Sequence, residues 1–335
     1  VIAAHSLCGN GCTGEGAVDS DRRMTIEPDA FVDREPGAPR ATRGPRVDDY
    51  GKAEAEHGRR PRDPLAYDDA GGPVPYGDDV TAEDMGYVHG VNLADEYINR
   101  LVRFGYWKDS GVRLEGPGAG ALANIFLTFW KAQYPEEDID IDRDLPAAAP
   151  VPTDCLVQPF ADSPIDRESV AKNVYLELIS QAQNRLYLCT PYLILDDDMQ
   201  TALRLAAKRG VDVRIYTPGV PDKKTIYQLS RSYFPHLLKA GVKIYSYTPG
   251  FLHAKTWLVD DRAAAVGTVN LDYRSLYLHF ENACWFCGCR AVAEVRRDFD
   301  ELFPLCHEVT EEYAARRSVA LRGLDCVLRL FSPLM

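Results

Sequence analysis

Apolar positions fall into regular periods only from Met85 onward, and from there strand-like and helix-like stretches alternate. Residues 112–115 read as a strand, 120–133 as an apolar helix, and 135–152 as an acidic, proline-rich connection. Strand 156–159, helix 169–183, strand 185–190, helix 198–208, strand 212–217, helix 224–240 and strand 243–247 follow. Residues 253–270 then read as strand, turn, strand and loop. This alternation predicts an α/β fold, with a parallel or mixed sheet flanked by helices. Before Met85 the chain is dense in Gly, Pro, Asp and Arg and has no sustained period. Residues 1–84 therefore read as disordered or aberrant, because they bury too little apolar surface to offset the entropy of ordering. The pattern divides the chain into 1–84, 85–134, 135–152, 153–306 and a tail, 307–335.

The stretch from His253 carries the most specific chemistry. Strand alternation puts residues i and i+2 on one face, so His253 and Lys255 are expected to share a cleft. A base that titrates near neutrality beside a fixed cation suits phosphate-ester chemistry. The imidazole can attack phosphorus or protonate the leaving oxygen, while the ammonium neutralises phosphoryl charge. Asp260 closes the strand, Gly267 is expected to admit backbone close to a ligand, and Asn270 to reach that ligand with its amide.

The spacing His253-x-Lys255-x4-Asp260-x6-Gly267-x2-Asn270 resembles the HKD motif of the phospholipase D superfamily at all five defined positions. Residues 190–192, 206–213, 272–277 and 329–334 look like bacterial cardiolipin synthase. The resemblance implies a phospholipase D-like fold with two similar domains meeting at one cleft. It also implies catalytic roles for His253, Lys255 and Asp260, and substrate-binding roles for Gly267, Asn270, Ser275, Glu281 and Asn92. Glu281 is expected to contact the histidine of the other half. The chemistry implied is transfer of a phosphatidyl group from one phosphatidylglycerol to another, releasing glycerol, at the cytoplasmic membrane and with no cofactor or metal.

An internal repeat anchors the other half. His89-Gly90-Val91-Asn92-Leu93 aligns with Gly267-Thr268-Val269-Asn270-Leu271, and residues 95–100 and 104–109 continue the resemblance. Counting back from Asn92 puts Pro75, Gly77 and Ala82 where a first histidine, lysine and aspartate belong. Residues 85–134 thus read as the remnant of a first domain, and 153–306 as a second domain with its motif intact. In the family the first histidine is the nucleophile and the second the acid, so activity is expected to be impaired. A shifted reading frame, a wrong join or natural replacement of the amino-terminal part each produce such a seam.

The net charge of −12 argues against broad capture of nucleic acid. Lys208-Arg209 and Lys223-Lys224 are local exceptions at helix ends. The apolar segments 120–130 and 324–331 are too short to span a bilayer, no cleavable signal pattern opens the chain, and the amino-terminal membrane helices of cardiolipin synthases are missing. In the tail, Val319, Leu321, Leu324, Val327, Leu328 and Phe331 recur at helical spacing, a stripe suited to a membrane surface or to core packing. The nine cysteines are scattered and read as buried or free thiols.

Three functions follow from these readings. One is an impaired phosphatidyltransferase. A second is a single-motif phosphodiesterase in which two chains pair about a twofold axis. The third is a non-catalytic binder of anionic lipid.

Overall fold

The computed structural model describes residues 2–7, 85–140, 153–165, 168–309, 312–313 and 319–334. Positions 75, 77 and 82 lie outside them, as does residue 8–84 as a whole and most of the 135–152 connection. Twelve strands are described: β1 (Ile2–Leu7), β2 (Met85–His89), β3 (Tyr106–Glu115), β4 (Leu156–Asp162), β5 (Arg185–Cys189), β6 (Asp212–Pro218), β7 (Lys243–Tyr247), β8 (Gly250–Leu252), β9 (Thr256–Val259), β10 (Ala263–Gly267), β11 (Glu281–Cys287) and β12 (Cys306–Glu308). The described helices are α1 (Pro117–Gln133), α2 (Val170–Gln181), α3 (Asp197–Lys208), α4 (Lys224–Leu238), α5 (Tyr273–Tyr277), α6 (Arg290–Leu302) and α7 (Val319–Leu330).

Eight strands form one mixed sheet in the order β12-β7-β6-β5-β9-β10-β11-β4. β5, β6 and β7 run parallel, as expected where helices make the crossovers, and the rest of the sheet is antiparallel. Alternation along the strands sorts side chains to two buried faces. Leu186, Leu188, Trp257 and Val259 pack with Tyr175 of α2, Leu203 of α3 and Phe234 of α4. On the other face Tyr187, Leu258, Val266 and Phe286 pack with Val295 and Phe299 of α6. The helix ends follow their sequence: Asp196 caps α3 by accepting from the Met199 N–H at 2.8 Å, and Gly210 at φ +95° turns the chain out of it.

β3 carries the smaller sheet, with β1 and β2 beside it and β8 paired in parallel. Val88, Val112 and Leu114 enter the same core as Leu258 and Val266. Residues 85–134 pack with 153–306 in one compact unit. Ile2–Leu7 corrects the expectation of disorder throughout 1–84, because the edge of β3 offers backbone groups that a short apolar segment can pair with.

Two further expectations change. Cys155 and Cys289 are joined by a disulfide, with Cα atoms 4.7 Å apart, where free thiols were expected. The close approach of the start of β4 to the cap of α6 brings together cysteines 134 residues apart in sequence. In the tail, α7 lies on α4 through polar groups: Arg329 donates to Ser232 Oγ at 3.2 Å and Gln228 to Asp325 at 3.2 Å. Leu328 packs on the core, but Val327, Leu330 and Phe331 are exposed, so the apolar stripe is split between core and solvent. Among the described residues, no helix is long and apolar enough to cross a membrane.

Candidate active site

His253 and Lys255 sit between β8, which pairs with β3, and β9, an interior strand of the larger sheet. Their side chains are 8 % and 2 % exposed, an unusual depth for two ionisable groups. The His253 N–H donates to the Lys108 carbonyl of β3 at 2.7 Å, which fixes the backbone. The ring then meets Asp109, whose Oδ2 lies 2.7 Å from Nδ1 and whose side chain is fully buried. With Nδ1–H donated to this carboxylate, the reactive lone pair falls on Nε2. Lys255 Nζ lies beside the ring, 2.7 Å from Nδ1 and 2.9 Å from Nε2, and donates to the His253 carbonyl at 2.6 Å. Tyr97 meets the imidazole edge-on at 5.1 Å between centroids, and Trp107 and Phe251 close the box at 5.4 and 5.9 Å.

Burial sets the electrostatics. Desolvation lowers the His253 pKa, helped by the Lys255 cation and opposed by Asp109, so the imidazole is neutral at neutral pH. Lys255 is lowered to about 8 by burial, against the attraction of Asp109, Glu281 and Asp272. Burial raises Glu281, while hydrogen bonds from Thr268, Ser275 and His279 oppose the rise. Burial likewise raises Asp272, whose carboxylate caps α5 by accepting from the Ser275 N–H at 2.9 Å. A neutral imidazole oriented at Nδ1 by a carboxylate, with a cation beside the ring, can act as a nucleophile toward an anionic centre.

The other expected site residues divide. Asn270 joins the cluster: its Nδ2 donates to Ser275 Oγ at 3.1 Å, and its buried Oδ1 has no protein partner. Asn92 reaches it indirectly, donating to the Tyr97 hydroxyl at 2.8 Å, so it steadies the ring that packs on His253. Asp260 is not brought together with His253 and Lys255. It lies beyond the far end of β9, ~16 Å of extended chain from Lys255. There it holds a left-handed turn at φ +51° and accepts from the N–H groups of Gln183, Asn184 and Arg185 at 2.8, 2.7 and 2.8 Å. Gly267 does not make room for a ligand. A Cβ there would stand 2.3 Å from that of Ala283, so glycine is required by the pairing of β10 with β11. Glu281 contacts Thr268 and His279, while the carboxylate on His253 is Asp109; the position of the other half's histidine, Pro75, lies outside the described residues.

Asp109 is the functional residue that sequence reasoning missed. Its signal was the polar run Lys108-Asp109-Ser110 inside an otherwise apolar strand, since consecutive buried polar groups need partners. Of the basic pairs considered, Arg209 donates to the Ile179 carbonyl at 3.0 Å, while Lys223 lies 5.7 Å over Tyr192, whose ring faces Phe251. His89 is exposed on β2 opposite Gly111.

Residues 175–303 match the family described as "Cardiolipin synthase, PLD-like domain". Phosphatidylserine synthase from Haemophilus influenzae shares the fold, with a TM-score of 0.57, 15 % identity, and coverage of 76 % of this chain and 69 % of that one. Residues 175–303 are thus a domain of this PLD-like family. Within it, the similarity is to cardiolipin synthases: 36 % identity over 251 residues to that of Halalkalibacterium halodurans and 37 % over 251 to that of Geobacillus kaustophilus, each covering 75 % of this chain and 50 % of the relative. A Streptococcus mutans protein is 44 % identical over 247 residues, 73 % of this chain and 53 % of that protein. The chain spans about half the length of these relatives.

Proposed function

We propose that this chain carries out phosphatidyl transfer of the cardiolipin-synthase type, with two phosphatidylglycerol molecules as substrates and glycerol as the released product, at a rate far below that of relatives with two complete motifs. The observation that carries the reading is the buried Asp109–His253–Lys255 set. His253 Nε2 attacks phosphorus, Asp109 holds the tautomer and stabilises the cation that forms, and Lys255 neutralises the phosphoryl oxygens. The Asn270 amide, with its open acceptor and its anchor on Ser275, is a further candidate for holding substrate. Pro75, Gly77 and Ala82 stand where a second set would complete the site, which supports slow turnover.

Support for a lipid substrate comes from exposed apolar side chains. Phe126 and Trp130 of α1 are exposed, as are Leu278 and Phe280, and Phe129 lies 4.9 Å from Phe280. This patch borders the strand that begins at Glu281 and suits acyl chains at a membrane surface. Incubation with phosphatidylglycerol vesicles, followed by mass spectrometry for cardiolipin and glycerol, tests the proposal. Slow formation of both is expected. Absence of cardiolipin, with release of phosphatidic acid instead, would make the chain a hydrolase.

A further inference from the structure

Cleavage at phosphorus by a neutral His253 releases an alkoxide, and an alkoxide departs slowly unless a second group gives it a proton. Lys255 and Asp109 are both committed to His253. A second histidine and carboxylate stand at the same end of the sheet. Gly267 donates to the Lys255 carbonyl at 3.2 Å and is paired with Ala283, so Lys255, Gly267 and Ala283 form one row across β9, β10 and β11. One strand step of two residues from that row lie His253 on one side and Glu281 on the other, on the same face. Their backbones are two strand spacings apart, ~10 Å, which leaves room for a phosphodiester between their side chains.

His279 is held to Glu281, with Nδ1 3.3 Å from Oε1, and is 40 % exposed. Glu281 is buried and is fixed in turn by the Thr268 hydroxyl. The arrangement repeats what Asp109 does for His253: a buried carboxylate engages Nδ1 and leaves Nε2 as the available nitrogen. It differs in access, because His279 is open to solvent and to an incoming alcohol.

We infer that His279 is the acid and base of this site, oriented by Glu281, and this rests on the phosphatidyl-transfer reading of His253. In the first step His253 Nε2 forms a bond to phosphorus, the bond from phosphorus to the glycerol oxygen breaks, and His279 Nε2 gives that oxygen its proton. In the second, the hydroxyl of another phosphatidylglycerol returns a proton to His279 as its oxygen bonds to phosphorus, and the N–P bond breaks. Each proton given is recovered, so the pair cycles without a co-reactant. Two motif histidines are thereby replaced by one motif histidine and one supplied just before β11.

Dependence on the leaving group separates this role from a structural one. Two substrates are compared, phosphatidylglycerol and a phosphatidyl p-nitrophenyl ester, whose phenolate leaves without a proton. For His279→Ala and His279→Gln, turnover of phosphatidylglycerol is expected to fall on the order of 10²-fold or more, and that of the p-nitrophenyl ester by less than about tenfold. Added imidazole should restore part of the loss in the alanine variant. Equal losses on both substrates, or no loss on phosphatidylglycerol, would overturn the assignment. Wild-type protein active on the p-nitrophenyl ester and inactive on phosphatidylglycerol would leave His253 as nucleophile and remove His279 as acid. Wild-type protein inactive on both would remove the His253 reading itself.

Discussion

Replacing Lys255 by methionine should stabilise the protein while disabling it. The ammonium is buried, and its pKa falls from 10.5 to about 8 because desolvation outweighs the attraction of Asp109, Glu281 and Asp272. Unfolded chains bind this proton below about 10.5 and folded ones below about 8, so the destabilisation grows as pH falls through that window and is complete at neutral pH. At ~1.4 kcal/mol per tenfold, the cost of holding the charged group is about 3 kcal/mol. Methionine has a similar length and no charge to desolvate. That cost already includes the attraction of Asp109; methionine additionally loses the hydrogen bond to the His253 carbonyl, an offset of about 1–2 kcal/mol, so the net gain is on the order of 1–2 kcal/mol. Urea unfolding at pH 7 should show a higher midpoint with an unchanged slope, and the gain should shrink by pH 10. Phosphatidyl transfer should fall on the order of 10²-fold. A variant less stable than the parent at pH 7, or a gain independent of pH, would refute the electrostatic account of the site.

Three other outcomes are expected. Asp109→Asn should preserve the fold and reduce turnover on the order of 10²-fold or more, measured as kcat on phosphatidylglycerol, because the amide no longer fixes the His253 tautomer. Asp260→Ala should lower the unfolding free energy, read from urea titration, by about 2–3 kcal/mol, since three backbone N–H groups lose their acceptor, and should leave kcat of the folded protein near the parent value. Because His253 must be neutral to attack and its pKa is lowered, the acid limb of kcat/KM should lie below pH 6.5, and a second decline should appear above about pH 8 as Lys255 loses its proton; an acid limb centred above 6.5 would contradict the burial argument.

The parts of the fold legible in sequence are those whose determinants are local. Residues 243–247 and 256–259 alternate and end at turns, and the structure begins and ends β7 and β9 at those residues. β3 was read only from Val112, because Lys108, Asp109 and Ser110 look like loop until their partners are known. Those partners, Asp298, His253 and Thr256, are 144 to 190 residues away. The same distance hid Asp109 as the partner of His253. The i, i+2 rule placed His253 beside Lys255 from two letters of sequence, whereas the same motif spacing carried Asp260 along to a turn at the other end of the strand. Gly267 was assigned to a ligand because only the strand register reveals Ala283 against it.

The central claim is that His253 becomes covalently bonded to phosphorus. Protein mixed with the phosphatidyl p-nitrophenyl ester, quenched in alkaline denaturant to preserve an N–P bond and weighed by mass spectrometry, should gain the mass of one phosphatidyl group, mapped to the peptide containing His253 and absent from His253→Ala. Turnover that survives in His253→Ala, or an adduct that maps to another residue, would contradict it.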